Sequence, residues 1–325
     1  MKKIFVLIPA VALALVSCVK TQDVYTGAPE SREIAFQSVA SPATRAAVDG
    51  IAFPEIDMKV TAYNATASGN YFGATTFSKS SSTWKGSKYW PLDAATINFL
   101  AIANANGDNE TGVTWNATNP ASQVAIVMGD NTTEQRDLMY ACGTGTNTTP
   151  STPPTVPMSF NHAQAWIQFK VSSTVTTGFA VNKITVNGVS CQGTYTVTHA
   201  NWDKTAAERS AADPAGSLDG SVSGVWTEYG TYAGNKDLLP DSGFTLSTTP
   251  SLFNSIMVVP NQGITSFTIY YTLDGNAYNY TYTPASGTLA QATKYIYNIT
   301  ITLHEIEIAP VVADWGNSDS IAVAI

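Results

Sequence analysis

The residues with the most chemistry to offer are few. The chain has three cysteines, Cys18, Cys142 and Cys191, and three histidines, His162, His199 and His304. The histidines lie far apart and show no HxH or HxxxH spacing, so a zinc site would need them to meet by accident of folding. Ordinary hydrogen-bonded histidines are the plainer reading. Carboxylates are sparse and fall mostly in turn contexts such as Asp130, Asp241 and Asp274. That is a poor supply for the facing pair that glycoside hydrolysis needs. Neither GxSxG nor GxxxxGK[ST] occurs, so the common nucleophile elbow and phosphate cradle are missing. The sequence offers no catalytic set, no cofactor-binding motif and no metal ligands, and it reads as a non-enzyme.

Cys18 is a different case. Met1-Lys2-Lys3 precede an apolar run from Ile4 to Val16, the charged and apolar regions of a secretory signal peptide. The run is shorter than the roughly 20 apolar residues that cross a bilayer. It ends Leu15-Val16-Ser17-Cys18, with the small residue before cysteine of a bacterial lipobox. A thiol is needed there because diacylglycerol is attached through a thioether. Cleavage before Cys18 then frees its amine for acylation. Residues 1–17 are read as a lipoprotein signal peptide, and membrane lipid as a partner held through several acyl chains, since one chain alone binds marginally. An ordinary signal peptide with a chance cysteine is the other reading.

Two readings also stand for Cys142 and Cys191. In an oxidising compartment a disulfide between them would close a long loop, worth roughly 4 kcal/mol by chain entropy. Two buried thiols are the alternative, because spacing alone does not bring two cysteines within bonding distance.

Over the whole chain hydrophobic residues make up 44% and charged residues 12%, against roughly 25% charged in ordinary soluble domains. Ser, Thr, Asn and Gly fill the difference. Long uncharged polar faces and many turns suit an extracellular β protein, whereas helices need charged outer faces. The formal net charge is -8, and Lys and Arg form no cluster, which disfavours nucleic-acid binding.

Strand patterns dominate. They are read at Ile34–Val39, at 56–63 with Ile56, Met58, Val60 and Ala62 on one face, and as a fully buried strand at 97–102. Further runs fall at 124–128, 156–160 and 165–171, with an exposed Thr/Pro-rich loop at 144–154 and a Ser-rich loop before Trp84. Asn187-Gly188 and Asp274-Gly275 read as hairpin turns. The second is flanked by 267–272 and 278–283, where Tyr278, Tyr280 and Tyr282 alternate. Residues 201–241 read as irregular, with one short helix near 206–211, and 295–308 as the longest strand. Many short strands between turns mean β-sandwiches, and the length fits two. The expected division is an N-terminal sandwich at 46–175 and a C-terminal one at 176–325. The chain stops on Ile321-Ala322-Val323-Ala324-Ile325, whereas most termini are polar and frayed. Such a tail wants a groove, its own or a neighbour's. Trp115, Trp202, Trp226, Tyr229 and Tyr232 lie in loop-rich regions. They either cover sandwich ends or stack on sugars.

Several pieces in order then carry a resemblance: the lipobox at Cys18, the first strand from Glu33 to Val39, Thr44-Arg45-Ala46, Tyr89-Trp90-Pro91 followed by Phe99-Leu100-Ala101, Asp137-Leu138-Met139-Tyr140, Met158-Ser159-Phe160-Asn161-His162-Ala163, Tyr295-Ile296-Tyr297-Asn298-Ile299, and Asp314-Trp315. Over nearly its whole length the chain resembles the fimbrillin family of Bacteroidales, the subunits of type V pili. The resemblance implies an all-β fold of two consecutive antiparallel, transthyretin-like β-sandwich domains with a strand-like C-terminal tail. It implies export through the periplasm as a lipoprotein to the outer membrane and a surface fimbrium. An arginine-specific protease would cut between Arg45 and Ala46, with Arg32 as a second candidate, and release 18–45 with the displaced first strand of Ile34, Phe36 and Val39. A strand from a neighbouring subunit would fill the gap and build a head-to-tail polymer. The donor is expected in the tail 306–325, through Ile306, Ile308, Val311, Ile321, Val323 and Ile325. The alternatives are a monomeric glycan-binding surface lipoprotein and a tip adhesin of the same pilus. Asp319-Ser320-Ile321 resembles an O-glycosylation signal and is read as a chance match.

Overall fold

The computed structural model describes residues 32–38, 57–103, 112–129, 136–149, 152–175, 177–209, 222–285, 287–302 and 306–314. Cys18, Val39, Arg45, Ala46, His304, Ile321, Val323 and Ile325 lie outside them.

The first part of the chain supplies β1 (Glu33–Ser38), β2 (Met58–Asn64), β3 (Gly69–Ser80), β4 (Thr83–Tyr89), β5 (Thr96–Ala103), β6 (Val113–Trp115), β7 (Gln123–Met128), β8 (Met139–Thr146), β9 (Thr155–Met158) and β10 (Asn161–His162). One sheet runs in the order β10-β8-β5-β2-β3-β4-β1-β9. It folds over along β3, whose first part pairs with β2 and whose end, Ser78–Ser80, pairs with β4. The two halves face each other across a core that includes Ile34, Phe36, Met58, Val60, Phe77, Trp84, Trp90, Phe99, Val156 and Met158. The Ser-rich stretch before Trp84 ends β3 and forms the short turn of the β3–β4 hairpin, with Ser81 at φ 60.

The next part contains β11 (Ala165–Ser173), β12 (Phe179–Val189), β13 (Gly193–His199), β14 (Val222–Thr227), β15 (Gly234–Leu238), β16 (Ser251–Val258), β17 (Ser266–Leu273), β18 (Asn276–Tyr282), β19 (Thr293–Ile301) and β20 (Ile306–Asp314). Two sheets, β16-β11-β19-β20 and β15-β12-β17-β18, close over a second core that includes Ile167, Phe169, Val186, Phe253, Phe267 and Tyr297. The pairing is mostly antiparallel, but β11 with β19 and β1 with β9 are parallel. The protein is thus all-β and built of packed sheets, as its composition implied.

A fourth sheet, β14-β13-β7-β6, covers the outer face of β5 and β8. This explains why β5 is buried at every position. Ile97, Phe99, Ala101 and Ala103 face the first core, while Leu100 and Ile102 face the third. The sheets mix strands from both sides of residue 175. β11 precedes it yet pairs with β16 and β19, and β13 follows it yet pairs with β7.

Other local expectations change. Asn187-Gly188 does not turn the chain. β12 runs through to Val189, and Gly188, at φ 85, takes up a register shift opposite β15. A Cβ there would collide with Thr265, so glycine serves a bulge against a neighbouring strand. Asp274-Gly275 does turn β17 into β18, both with positive φ, as a primed hairpin requires. The run 295–308 is divided between β19 and β20. Thr144 and Thr146, expected in an exposed loop, end β8, where the Thr144 hydroxyl donates to Asn98 Oδ1 at 2.7 Å. The irregular stretch 201–241 contains β14 and β15, the helix expected near 206–211 is a 3-10 turn at Ala206–Glu208 capped by Thr205, and a second 3-10 turn falls at Gly230–Tyr232.

Candidate functional site: the buried first strand

The residues of β1 alternate as a half-buried strand should. Ile34 and Phe36 are both 0% exposed, while Gln37 faces solvent. The Phe36 ring meets Phe77 at 4.9 Å and Phe99 at 5.0 Å, both edge-on. Edge-on pairs at this spacing add to the area term. Phe36, carried on one half of the folded sheet, therefore packs against β3 and β5 of the other through one side chain.

The backbone of β1 is held on both edges. It pairs antiparallel with β4 (Glu33 with Tyr89, Phe36 with Trp84) and parallel with β9 (Phe36 with Val156, Ser38 with Met158). Its neighbours on either side come from distant parts of the sequence. Without it the β2–β3, β3–β4, β2–β5 and β5–β8 pairings remain, while β9 loses the one strand it pairs with among the described residues. Taking β1 away would leave a cleft between β4 and β9 with two rows of unpaired backbone groups. Its floor would include Phe77, Trp84, Phe99, Val156 and Met158. β9 carries Pro157 opposite Gln37, and proline suits an edge strand because it donates nothing to a ladder.

The strand's first turn is anchored. Arg32 Nη1 donates to the Trp90 carbonyl at 3.0 Å, and the Trp90 N–H donates to the Arg32 carbonyl at 2.9 Å. Glu33 accepts from the Ser87 N–H at 3.1 Å and pairs with Lys85 at 3.5 Å. The Tyr71 hydroxyl donates to the Tyr89 carbonyl, and burial raises its pKa, with Arg32 pulling the other way. Arg32 is thus engaged through backbone and side chain, a poor substrate for a protease that must bind an extended, accessible arginine. Cleavage after Arg32 would also leave β1 in place.

At the other end of the chain, β20 lies along β19 from Thr293 with Asp314 to Ile301 with Ile306. Ile306 and Ile308 pack against the second core and Val311 is buried. The three residues read as donor contacts are therefore engaged in their own sheet. To serve a neighbour they would have to leave nine residues of strand pairing.

The remaining candidate groups fall elsewhere. Cys142 belongs to the third core and Cys191 to the second. They are buried thiols and not a disulfide, because Cys142 on β8 and Cys191 in the link between β12 and β13 pack into different interiors. His162 Nδ1 sits 2.8 Å from the Asp137 carboxylate, a buried structural pair, and His199 is also buried. Among the described residues no three His, Cys, Asp or Glu side chains gather as a metal site would require. Trp226 is buried and its Nε1 donates to the Ala163 carbonyl at 2.6 Å. Trp202 lies edge-on to Tyr63 at 4.6 Å, and Trp115 and Tyr229 pack against the third core. These aromatics cover sheet ends. Sequence reading missed Phe77 as the partner of Phe36. The alternation of Phe72 and Phe77 along an otherwise polar stretch was its only signal, and a bulge within β3 broke the period.

The fold and its site define a class: a multi-sheet β-sandwich protein in which one N-terminal strand, nearly detached in sequence, fills a cleft. The chain belongs to the fimbrillin-like family, whose sequence profile matches residues 44–315. Membership places it with structural and adhesion proteins and not with enzymes. Its fold is similar to that of a candidate cell adhesion protein from Bacteroides uniformis ATCC 8492, at 16% identity and TM-score 0.53 over 87% of this chain and 99% of that one. A candidate cell adhesion protein from Bacteroides ovatus ATCC 8483 is similar at 15% identity and TM-score 0.52, over 89% and 99%. No curated protein matches the chain.

Proposed function

We propose that this chain is a structural subunit of a surface fimbria that assembles by strand exchange and supports adhesion. It is exported as a lipoprotein anchored through Cys18. An arginine-specific protease cuts between Arg45 and Ala46 and releases β1. The observation that carries the reading is the seat of β1. Two fully buried side chains and both backbone edges are committed to a cleft between β4, which is also paired with β3, and β9, whose strand pairing among the described residues is with β1. An open sheet edge above a row of apolar core positions is an unstable surface, and strand addition satisfies both its backbone and its apolar demands.

The incoming strand comes from the C-terminus of the next subunit. Because β20 is integrated into its own sheet, the contacts are assigned to Ile321, Val323 and Ile325, with Ile306, Ile308 and Val311 as the root that fixes the donor to its body. Repetition of this head-to-tail contact gives a fibre. A monomeric glycan-binding lipoprotein has less support, since the loop aromatics that would stack on sugars mostly pack against the protein itself.

Treatment with an arginine-specific protease tests the reading through intact mass and size. Loss of the segment up to Arg45, followed by concentration-dependent ladders that survive mild denaturant, is expected. A chain that resists cutting there, or is cut and stays monomeric, overturns strand exchange in favour of an anchored monomer.

A further inference from the structure

The second sandwich has one closed side and one open side. On the closed side, β15 and β16 come together, and the Asp241 N–H donates to the Phe253 carbonyl at 2.8 Å. On the open side the facing sheets end in β18 and β20, and among the described residues no strand pairs with the outer edge of either. Soluble proteins blunt such edges with charge, proline or bulges. β20 carries Glu307, Pro310 and Asp314, β15 carries Lys236 and Asp237, and β9 carries Pro157. β18 has none of these devices. Its sequence is Asn-Ala-Tyr-Asn-Tyr-Thr-Tyr, it pairs with β17 without a register shift from Leu273–Asn276 to Phe267–Tyr282, and all but its last residue are exposed.

The side chains of β18 also lack cover. Tyr278 and Tyr280 are 47% and 37% exposed. A line of rings leads up to them, with Phe179 stacked on Tyr271 at 5.2 Å and Tyr271 on Tyr278 at 5.7 Å. The line stops at the sheet edge.

We infer that β18 is a contact between copies of this chain, formed by antiparallel pairing of β18 with β18 of a second copy about a two-fold axis at Asn279. In that register Tyr278 of each copy faces Tyr280 of the other on the same sheet face. The ring line then continues across the contact, and two exposed tyrosines per copy are covered. Tyrosine pairs on facing strands contribute favourably. A chain of net charge -8 repels its own copies in general, so a self-contact has to fall where charge is absent, and β18 is such a place. The contact is small for a free dimer. Arrayed along fibres it is multiplied by effective concentration, which suits lateral association of filaments. It does not depend on strand exchange, and a chain that retains β1 should show it.

The test uses Arg45→Ala protein, in which β1 stays covalently in place. Sedimentation velocity up to about 1 mM, the range in which a contact of this size becomes visible, should show reversible dimers. Asn279→Lys places like charges opposite one another on the axis and should lower association at least about tenfold. Asn279→Glu should do the same, and an equimolar mixture of the two variants should restore it. Position 279 is exposed, so an unchanged near-ultraviolet circular dichroism spectrum is expected for both. A parent chain that stays monomeric, variants that associate as the parent does, or a mixture that fails to recover would each overturn the self-pairing. Loss of dimers on truncation after Asp314 would also overturn it, by assigning the edge to the C-terminal tail of another copy.

Discussion

Replacing Phe36 by Ala removes the side chain that holds β1 in its cleft. Phe36 is 0% exposed and meets two rings, Phe77 and Phe99, within 5.0 Å. Truncating a fully buried phenylalanine typically loses about 3–5 kcal/mol, the sum of lost transfer energy and the cavity left behind. The two edge-on pairs, worth about 0.5–1.5 kcal/mol each, push the figure toward the upper end. The cavity cannot easily collapse, because Phe77 and Phe99 are fixed in different strands. With a urea slope of about 1–3 kcal/mol per molar, the unfolding midpoint of the N-terminal sandwich should fall by at least about 1 M. Trp84 and Trp90 are each 1% exposed in the same core and report it through their fluorescence. The same loss should appear in trans. After cleavage at Arg45, a peptide spanning residues 33–39 should bind its emptied body about a hundredfold more weakly, or worse, when it carries the alanine, since 1.4 kcal/mol is a factor of ten. A shift below about 1 kcal/mol in both assays would refute the claim that β1 is seated chiefly through this ring.

Three further outcomes follow from the geometry. Asn98→Ala should destabilise by about 2–4 kcal/mol and speed hydrogen exchange across residues 200–209. The Asn98 amide donates to the carbonyls of Asn201, Trp202 and Lys204, and its oxygen accepts from Thr144 and Arg209, so truncation orphans several buried groups. The Asp237 carboxyl is held below its ordinary pKa by the Thr185 hydroxyl first and then by Lys183. A depressed folded-state pKa gives stability that is present above the unfolded value, near 3.9, and lost as pH falls through the folded one. Tm of the parent should therefore exceed that of Asp237→Asn by a small margin at pH 6, screened by exposure, with the margin vanishing toward pH 2. In a Cys18→Ala chain, two thiols should titrate with a thiol reagent only after unfolding, and mobility on a gel should not change with reductant, because Cys142 and Cys191 are separate buried thiols.

Much of the fold was legible along the chain. Alternation marked β1, β2 and β17, because one face of each meets a core and the other meets water or another sheet, while the tyrosine alternation of β18 and the Asp274-Gly275 turn marked the hairpin. The apolar run from Phe99 to Ala103 in β5 announced burial on both faces. What misled were places where a neighbour overrode local chemistry. Gly188 looks like a turn residue but serves a bulge, since Thr265 leaves no room for a Cβ. The threonines of β8 look exposed by composition, but Thr144 is buried and Thr146 half-buried, because Asn98 and Thr96 offer them partners across the strand pair. β14 and β15 escaped notice because their apolar positions are few and interrupted.

By itself the sequence determined the class of protein. Low charge and period-two patterning exclude helical packing, and the Lys-Lys, apolar run and Ser17-Cys18 at the start point to export. Only the tertiary structure decided how each of the two outlying strands is held. β1 and β20 are both short apolar strands near chain ends. β1 lies between β4 and β9, two strands from distant parts of the chain. β20 instead follows β19 directly and pairs with it along its whole length. That distinction lives in long-range pairing, which a one-dimensional pattern of apolar residues does not encode.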